Sequence, residues 1–356
     1  MTIQENVPLA PLTTLQVGGA ARYFAETKRE DEVREAVQFA ETRGLPLFVF
    51  GGGSNLVVAD SGWPGMVVKV AIGGISTPNS SEPTRNNVLF SAGAGVDWDD
   101  FVAQAVVQNF AGVECLSGIP GSVGGTPVQN VGAYGQEVAD TIESVRALDL
   151  KENRVVVLPK PACGFRYRAS IFNTTERGRY VILRVNYRLK RGGSPSLKYA
   201  DLQRFFAERA ADRKMPSLAE VREAVREIRR SKGMLIVEGD DDCRSAGSFF
   251  KNPVLSDAEF RELAARAAAK GIGIPSYPAL DAQRKVSAAW LVEHSGFLKG
   301  YAAGAVGISR KHALALINRG GGATASDIVG LKDDIQRRVL EEWGIRLGPE
   351  PVFVGF

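Results

Sequence analysis

The chain has 356 residues, which is too long for one ordinary hydrophobic core and predicts two or three domains. The net charge is only +4 and the basic residues are scattered apart from 226–232, so composition gives nucleic-acid binding no support. The three cysteines are far apart and form no Cys-x-x-Cys pair, which argues against a disulfide framework or a zinc site. With neither a signal-peptide pattern at the N-terminus nor an apolar run able to span a bilayer, we expect a cytoplasmic protein.

The first part of the chain predicts a small α/β unit. A strand at 22–25 precedes a helix over 30–43, in which Val33, Ala36, Val37 and Ala40 lie on one apolar face. Further strands are predicted at 47–50 and 66–70. The polar segment 73–87, with its Pro, Gly and Ser residues, predicts a surface connection.

The middle of the chain predicts a second α+β lobe. A strand at 88–92 and a helix over 98–109 lead into a β-rich region, with strands at 145–150, 154–158 and 180–189. The last of these alternates apolar and polar residues, as a half-buried strand does.

The C-terminal third predicts a separate, helix-rich domain. Helices are expected over 217–232, 256–270, 286–295, 311–318 and 326–343. Ser217 with Glu220, and Ser256 with Glu259, have the spacing of a capping box. The boundaries of this interpretation are 1–74, 75–215, 216–344 and an extended tail, 345–356.

Two glycine-rich runs are the most unusual stretches. Residues 116–135 contain six glycines, and residues 51–55 read Gly-Gly-Gly-Ser-Asn. Peptide N–H groups in such turns form nests that bind anions, so two nests suggest a long phosphate-containing ligand such as a dinucleotide. Neither run matches the P-loop or the Rossmann fingerprint.

Few other residues suggest chemistry. Ser248 lies in a small-residue stretch, 245–253, and Arg168 lies among aromatics; Lys232 closes an apolar helical stripe, and Glu350 is the carboxylate of the tail. The only histidines, His294 and His312, fall in predicted helices and are interpreted as structural. A Ser–His–Asp hydrolase is therefore disfavoured, and its Gly-x-Ser-x-Gly pattern is absent here.

These motifs together resemble the UDP-N-acetylenolpyruvoylglucosamine reductase family, in its tyrosine-loop subgroup. The matches run in order through 14–19, 51–57, 116–135, 167–172, 247–253 and 349–350. The resemblance implies an α+β fold, in which a two-lobed FAD-binding domain of the vanillyl-alcohol-oxidase/PCMH type is formed by 1–74 and 75–215. It also implies an α+β substrate domain over 216–344.

The resemblance implies an FAD-dependent oxidoreductase of peptidoglycan precursor synthesis. NADPH reduces non-covalently bound FAD, and the flavin reduces UDP-N-acetylglucosamine enolpyruvate to UDP-N-acetylmuramate. Ser248 would protonate C2, while Arg168 and Glu350 would stabilise the enol form. The implied protein is a monomer that uses no metal and binds neither nucleic acid nor a membrane.

The resemblance also assigns ligand contacts. Substrate contacts fall on Tyr199, Lys232 and Asn252. The FAD contacts fall on Gly51, Gly52, Gly53, Ser54, Asn55, Leu56, Ile119, Pro120, Gly121, Ser122, Gly124, Gly125, Asn130, Gly132, Ala133 and Tyr134.

Some features depart from the family pattern. Gly348 and Val352 stand where many relatives have Glu and Arg, and the acidic segment 238–244 has no assigned role. Two alternatives remain open at this level: an FAD-dependent sugar or alcohol oxidase of the same superfamily, and a non-enzymatic nucleotide-binding module.

Overall fold

The structure, a computed structural model, describes residues 1–77, 86–209, 215–279 and 283–356. They form two compact units. Unit 1 comprises Met1–Val7, Ala21–Gly53 and Pro64–Ser231, and unit 2 comprises Pro8–Ala20, Ser54–Trp63 and Lys232–Phe356. The predicted boundaries of 1–74, 75–215, 216–344 and 345–356 stay predictions.

Helices and strands are mixed along the chain, as the predicted α+β class requires. The helices of the described residues are α1 (Glu30–Thr42), α2 (Trp98–Val107), α3 (Ala200–Arg209), α4 (Leu218–Ser231), α5 (Asp257–Ala268), α6 (Ala288–Glu293) and α7 (Ala325–Trp343). The strands are β1 (Gln4–Pro8), β2 (Ala20–Thr27), β3 (Leu47–Phe50), β4 (Leu56–Val58), β5 (Trp63–Val70), β6 (Ile75–Ser76), β7 (Asn87–Gly93), β8 (Phe110–Ala111), β9 (Gly132–Ala133), β10 (Gln136–Glu137), β11 (Ile142–Asp149), β12 (Arg154–Pro159), β13 (Tyr180–Arg191), β14 (Val254–Leu255), β15 (Ser276–Pro278), β16 (Arg284–Val286), β17 (Ala302–Ala303), β18 (Val306–Ile308), β19 (Leu316–Asn318) and β20 (Val352–Val354).

Unit 1 contains two larger sheets. One has the strand order β1-β2-β5-β3, with β3 parallel to β5. The other has the order β12-β11-β13-β7-β6, with β8 also paired to β13, and these strand pairs are antiparallel. Apolar residues from both sheets and from α1 and α2 form one buried core.

The sequence pattern explains the main elements of unit 1. The predicted face of α1 is the buried one, because apolar residues three and four positions apart lie on one side of a helix. In β13 the side chains of Val185, Tyr187 and Leu189 are buried, whereas Arg188 is exposed. The strands predicted at 22–25, 47–50, 66–70, 88–92, 145–150, 154–158 and 180–189 are confirmed with small changes of boundary.

Unit 2 has its own core beneath short strands. Its sheets have the orders β14-β16-β15, β17-β18-β19 and β20-β4. Helix α7 begins at a reciprocal Thr324–Asp327 cap and ends at Gly344, whose φ of 71° is left-handed. Its buried residues Ile328, Leu331 and Ile335 join the unit 2 core.

Two predicted helices of unit 2 require correction. The helix predicted over 311–318 is wrong, because 316–318 form β19, paired with β18. A short apolar run that is buried throughout has no helical periodicity, so sequence alone cannot tell it from a strand. The helix predicted over 286–295 shortens to α6, since Val286 belongs to β16 and Ser287 caps the helix through the Trp290 N–H.

Among the described ranges, no helix is long and apolar enough to cross a membrane. The same residues contain no group of three or more His, Cys, Asp or Glu side chains arranged to hold a metal ion. Of the predicted surface connection 73–87, residues 78–85 lie outside the described residues, and Ile75–Ser76 forms β6.

Replacing Gly330 with alanine should stabilise unit 2. Gly330 is exposed within α7, and a methyl group there would meet no atom within 4 Å. Because glycine costs about 0.5–1 kcal/mol in a helix relative to alanine, thermal unfolding followed by circular dichroism should shift upward by roughly 1–4 °C. The control is Gly62→Ala, which should lower the midpoint because Gly62 has a φ of 77° and its added methyl would lie 1.9 Å from the Ala20 carbonyl oxygen. An unshifted Gly330→Ala midpoint would contradict the prediction.

Candidate active site

The two predicted phosphate-binding runs come together in unit 1. A methyl group on Gly52 would lie 2.5 Å from the Cα of Gly121, and one on Gly51 would lie 3.1 Å from the Ser122 hydroxyl. The Ser122 hydroxyl is itself buried without a hydrogen-bond partner. Because a buried polar group without a partner is costly, this hydroxyl fits a site completed by a polar ligand.

Adjacent glycines in the second run serve different purposes. A methyl group on Gly124 would lie 2.7 Å from the Ala94 Cβ, so Gly124 is required for packing within the protein. A methyl group on Gly125 would have no protein contact closer than 4.0 Å. The space beside Gly125 is therefore the space that a ligand can fill.

Charged residues of α2 and α4, which the sequence reasoning missed, fix the start of the second glycine run. Asp99 accepts the Gly118 N–H at 2.6 Å and pairs with Arg222 and Arg226, while Arg229 donates to the Gly118 carbonyl at 3.0 Å. The sequence did contain a signal for this contact, because the three arginines are spaced four and three residues apart and so lie on one face of a helix.

Burial shifts the pKa values of the charged groups around Gly118. Burial lowers the pKa of the Arg229 guanidinium, and the nearby Tyr134 and Asp99 oppose that shift. Burial also disfavours the charged form of Asp99, but the Arg222 and Gly118 hydrogen bonds outweigh it and the pKa of Asp99 is lowered. The negative charge of Asp99 and the positive charges of Arg222, Arg226 and Arg229 therefore compensate one another.

Arg168 lies beside the end of the second glycine run. Its guanidinium donates to the Gly132 carbonyl at 2.8 Å and lies over the Tyr167 ring. Arg168 has a left-handed φ of 53° within a tight turn closed by reciprocal backbone bonds of Arg166 and Ala169. This turn orients a planar cation next to the predicted FAD contacts.

Other predicted contacts in unit 1 have different environments. The side chain of Asn130 bonds to Glu137, the Arg166 carbonyl and the Ala139 N–H, so its amide has a structural role. Tyr134 is buried and packs edge-to-face against Tyr199, with ring centroids 5.4 Å apart. Tyr199 is 43% exposed.

In unit 2, three short segments bring Ser248 and Glu350 onto neighbouring strips of backbone. The Glu350 N–H donates to the Phe249 carbonyl and the Lys251 N–H donates to the Gly348 carbonyl, both at 2.9 Å. On the other side, the Phe249 N–H donates to the Leu314 carbonyl at 2.8 Å. The segment 248–251 therefore lies between the tail and the turn at 312–314.

Two predicted FAD contacts of unit 2, Asn55 and Leu56, bond to the backbone of the tail. The Asn55 side-chain amide donates to the Glu350 carbonyl at 3.3 Å, and the Val352 N–H donates to the Asn55 carbonyl at 2.9 Å. Leu56 begins β4, which is parallel to β20. The Thr14 hydroxyl donates to the Ser245 carbonyl at 2.7 Å, so the first sequence motif supports the segment that precedes Ser248.

His312 is the second site feature that the sequence reasoning missed. The prediction placed it in a helix with a structural role, but it lies in the turn before β19, with Nε2 3.2 Å from the Ser248 hydroxyl oxygen. No motif signals this contact, because the two residues are 64 positions apart.

The acidic segment 238–244 now has a structural role. The Asp242 carboxylate is buried and accepts the backbone and guanidinium N–H groups of Arg310, at 2.9 and 3.2 Å. Asp240 pairs with Lys311, and the lysine hydrogen bond holds the pKa of the Asp240 carboxyl below its usual range. The segment thus braces the turn that carries His312.

The predicted substrate contacts of unit 2 lie at element ends. Lys232 follows the last residue of α4, and the next residue, Gly233, lies against Asp242, Ser309 and Lys311. Asn252 follows the Ser248 strip, and its side-chain amide oxygen Oδ1 accepts the Ala288 N–H at the start of α6 at 2.9 Å.

Two protein-family models match separate parts of this chain. A family model described as "UDP-N-acetylenolpyruvoylglucosamine reductase, C-terminal domain" matches residues 239–354. Another, described as "FAD binding domain", matches residues 21–158.

Curated relatives match along the whole chain. A UDP-N-acetylenolpyruvoylglucosamine reductase of Thermobifida fusca (strain YX) is 46% identical over 98% of this chain and 97% of its own length. One from Streptomyces avermitilis is 44% identical over 98% of this chain and 94% of its own length. The crystal structure of a UDP-N-acetylenolpyruvylglucosamine reductase from Thermus caldophilus aligns with a TM-score of 0.65 and 25% identity, over 99% of this chain and all of that one.

Adding a methyl group at Gly125 should weaken flavin binding without unfolding unit 1. Because no protein atom occupies that space, Gly125→Ala should keep the wild-type melting temperature of the flavin-free protein. It should lower the affinity for FAD by tenfold or more, of the order expected for a clash of about 1–3 kcal/mol. Fluorescence titration of the apoprotein with FAD gives both proteins' dissociation constants.

Gly124→Ala is the matched control for this experiment. Its methyl would contact Ala94, so it should lower the melting temperature even without FAD. Wild-type FAD affinity in Gly125→Ala would show that the space beside Gly125 is not used by the cofactor.

Proposed function

The chain belongs to the UDP-N-acetylenolpyruvoylglucosamine reductase family, and we propose that Arg168, Ser248 and Glu350 carry out that family's chemistry here. The reaction is the NADPH-dependent reduction of UDP-N-acetylglucosamine enolpyruvate to UDP-N-acetylmuramate, a step in peptidoglycan precursor synthesis. FAD held by the residues of the two glycine runs would supply the redox chemistry, which is hydride transfer between NADPH and C3 of the substrate. The resemblance and the fold class that it implies are confirmed by the matches.

The adjacency of Ser248 and Glu350 carries this proposal. Addition of hydride at C3 moves negative charge toward C2 and its carboxylate, so the reaction needs a proton donor and groups that stabilise the enol form. The Glu350 N–H is bonded to the Phe249 carbonyl, which keeps the tail next to the residue that follows Ser248. In the proposal, Ser248 donates the proton to C2 and Glu350 stabilises the enol.

Arg168 supplies the positive charge in this proposal. Its guanidinium is oriented by the Gly132 carbonyl and the Tyr167 ring. Its planar donors suit the substrate carboxylate and the developing enolate. Arg168 belongs to unit 1, whereas Ser248 and Glu350 belong to unit 2.

We assign FAD to the residues of the two glycine runs. Gly51, Gly52, Gly121 and Gly125 offer backbone groups without side chains, and the buried Ser122 hydroxyl offers a polar group for the diphosphate. Ser54, Asn55 and Leu56 continue this assignment into unit 2. No residue of this assignment forms a covalent bond with the flavin.

The substrate diphosphate is assigned to Lys232, Asn252 and Tyr199. A lysine ammonium is a compact cation suited to phosphate, and the exposed Tyr199 ring presents a hydroxyl donor. We also propose that the protein acts as a monomer in the cytoplasm, away from membranes. Its three buried, unpaired thiols support a reducing compartment.

Removing the Ser248 hydroxyl should separate the two halves of the reaction. Ser248→Ala should be bleached by NADPH at the wild-type rate, because the serine takes no part in flavin reduction. Reoxidation by the enolpyruvyl substrate should slow by about 10²–10⁴-fold, the usual contribution of a general acid. Stopped-flow absorbance at the flavin band measures both steps in one protein, and rapid reoxidation would remove Ser248 from its role.

Removing the phosphate contacts should raise KM more than it changes kcat. Lys232→Met should raise the substrate KM by roughly 10–100-fold, since hydrogen bonds to charged groups contribute about 1.5–3 kcal/mol, and Tyr199→Phe should raise it severalfold. Lys270→Met removes the same charge from an ion pair with Glu342 and is the control. An unchanged KM in Lys232→Met would exclude the assigned contact.

A further inference from the structure

We propose that His312 is a positioning residue for the proton donor: it donates a hydrogen bond to the Ser248 oxygen and leaves the serine proton for the substrate. This inference depends on the role proposed above for Ser248. Neither the motif assignments nor the acid–base reasoning of the sequence includes His312.

The hydrogen bonds of the ring select its tautomer. The Leu314 N–H donates to Nδ1 of His312 at 3.2 Å, and a nitrogen that accepts a hydrogen bond carries no proton. The proton of the neutral ring therefore resides on Nε2, which lies 3.2 Å from the Ser248 oxygen. The direction of that bond follows: Nε2–H donates and the serine oxygen accepts.

This direction separates the pair from the serine hydrolases. In a hydrolase the histidine Nε2 must be free of a proton in order to accept the serine proton. Here the Leu314 amide enforces the opposite tautomer, so His312 cannot act as the base for Ser248. The His312–Ser248 hydrogen bond therefore leaves the serine free to donate its proton.

The surrounding contacts make the arrangement rigid. The Ser309 hydroxyl oxygen accepts the N–H groups of Lys311 and His312 at 3.0 and 3.3 Å. Asp242 binds Arg310, one position before Lys311, at the base of the same turn. The Phe249 N–H donates to the Leu314 carbonyl at 2.8 Å, so the backbone that follows Ser248 is held against the backbone that follows His312.

The consequence for proton transfer can be written in full. The Ser248 O–H bond breaks, a C–H bond forms at C2 of the substrate, and the electron pair of the O–H bond stays on the serine oxygen. Nε2–H of His312 then donates to an alkoxide, where a hydrogen bond is stronger than it is to a neutral hydroxyl. A solvent proton later restores the serine.

Three substitutions at one position test the direction of the bond. The amide nitrogen of His312→Gln still donates, the carboxylate of His312→Glu only accepts, and His312→Leu does neither. Stopped-flow reoxidation by the substrate should stay within about threefold of wild type in Gln and slow by about tenfold or more in Leu and Glu, the size of one hydrogen bond to a charged group. Bleaching by NADPH and the substrate dissociation constant should not change. Equal rates in Gln and Glu would overturn the inference.

A double variant shows whether His312 acts through Ser248. In a Ser248→Ala background, His312→Leu should cause no further slowing of reoxidation, because the two residues form one unit. A further tenfold loss would overturn the inference. If Ser248→Ala alone reoxidises rapidly, the proposed function fails; if it is slow while His312→Leu is normal, only the present inference fails.

The tautomer can also be observed without turnover. The chain has only two histidines, and Nδ1 of His294 lies 2.8 Å from the Trp290 carbonyl oxygen, which can only accept, so His294 carries its proton on Nδ1. Nitrogen-15 NMR of the labelled holoenzyme should show opposite tautomers for the two rings, with the His312 signals identified by their loss in His312→Gln. A proton on Nδ1 of His312 would overturn the assignment.

Discussion

The main-chain hydrogen bonds on both sides of Phe249 are the constraint on which the candidate site depends. One side of this residue bonds to Leu314 and the other to Glu350. Side chains that lie far apart along the chain are thereby placed on adjacent backbone strips. Because the bonds are made by the backbone, they fix Ser248 without using its hydroxyl, which is left for chemistry.

In the glycine runs of unit 1, it is again backbone groups that form the site, in this case for a ligand. Gly52 approaches the Gly121 backbone so closely that a side chain on Gly52 would clash with it. Without side chains at these positions, the peptide N–H groups of the turns can bind a diphosphate. The run is then fixed from outside by Asp99 and Arg229, which bond to the N–H and the carbonyl of Gly118. The site is open to a ligand yet supported by charged groups that are matched to one another.

Unit 2 shows how an irregular segment becomes ordered. The acidic residues 240–242 form a run of three negative charges to which the sequence assigns no role. Asp240 pairs with Lys311 and Asp242 pairs with Arg310, while Asp241 pairs with Arg244. The Asp242 carboxylate also accepts the Arg310 backbone N–H. Paired charges of this kind fix the turn before β19, and that turn carries the ring that contacts Ser248.

Local pattern alone was enough to predict much of this protein. Helix α1 and strand β13 follow from apolar periodicity, and helix α5 follows from its Ser256–Glu259 capping box. The order of motifs identified the family, because several specific motifs had to match together. Local signals succeed in these cases since each depends on residues within a few positions of one another.

Only the tertiary structure decided the rest. The apolar run before Asn318 became β19 because it found a partner strand in β18, which no periodicity reveals. Gly124 and Gly125 look equivalent in sequence, yet one is needed for packing against Ala94 and the other borders open space. The tautomer of His312 depends on the Leu314 amide, and its contact with Ser248 crosses 64 positions. Sequence determines which groups a chain carries and their local conformation, whereas folding alone decides which distant groups meet and in which direction a hydrogen bond runs.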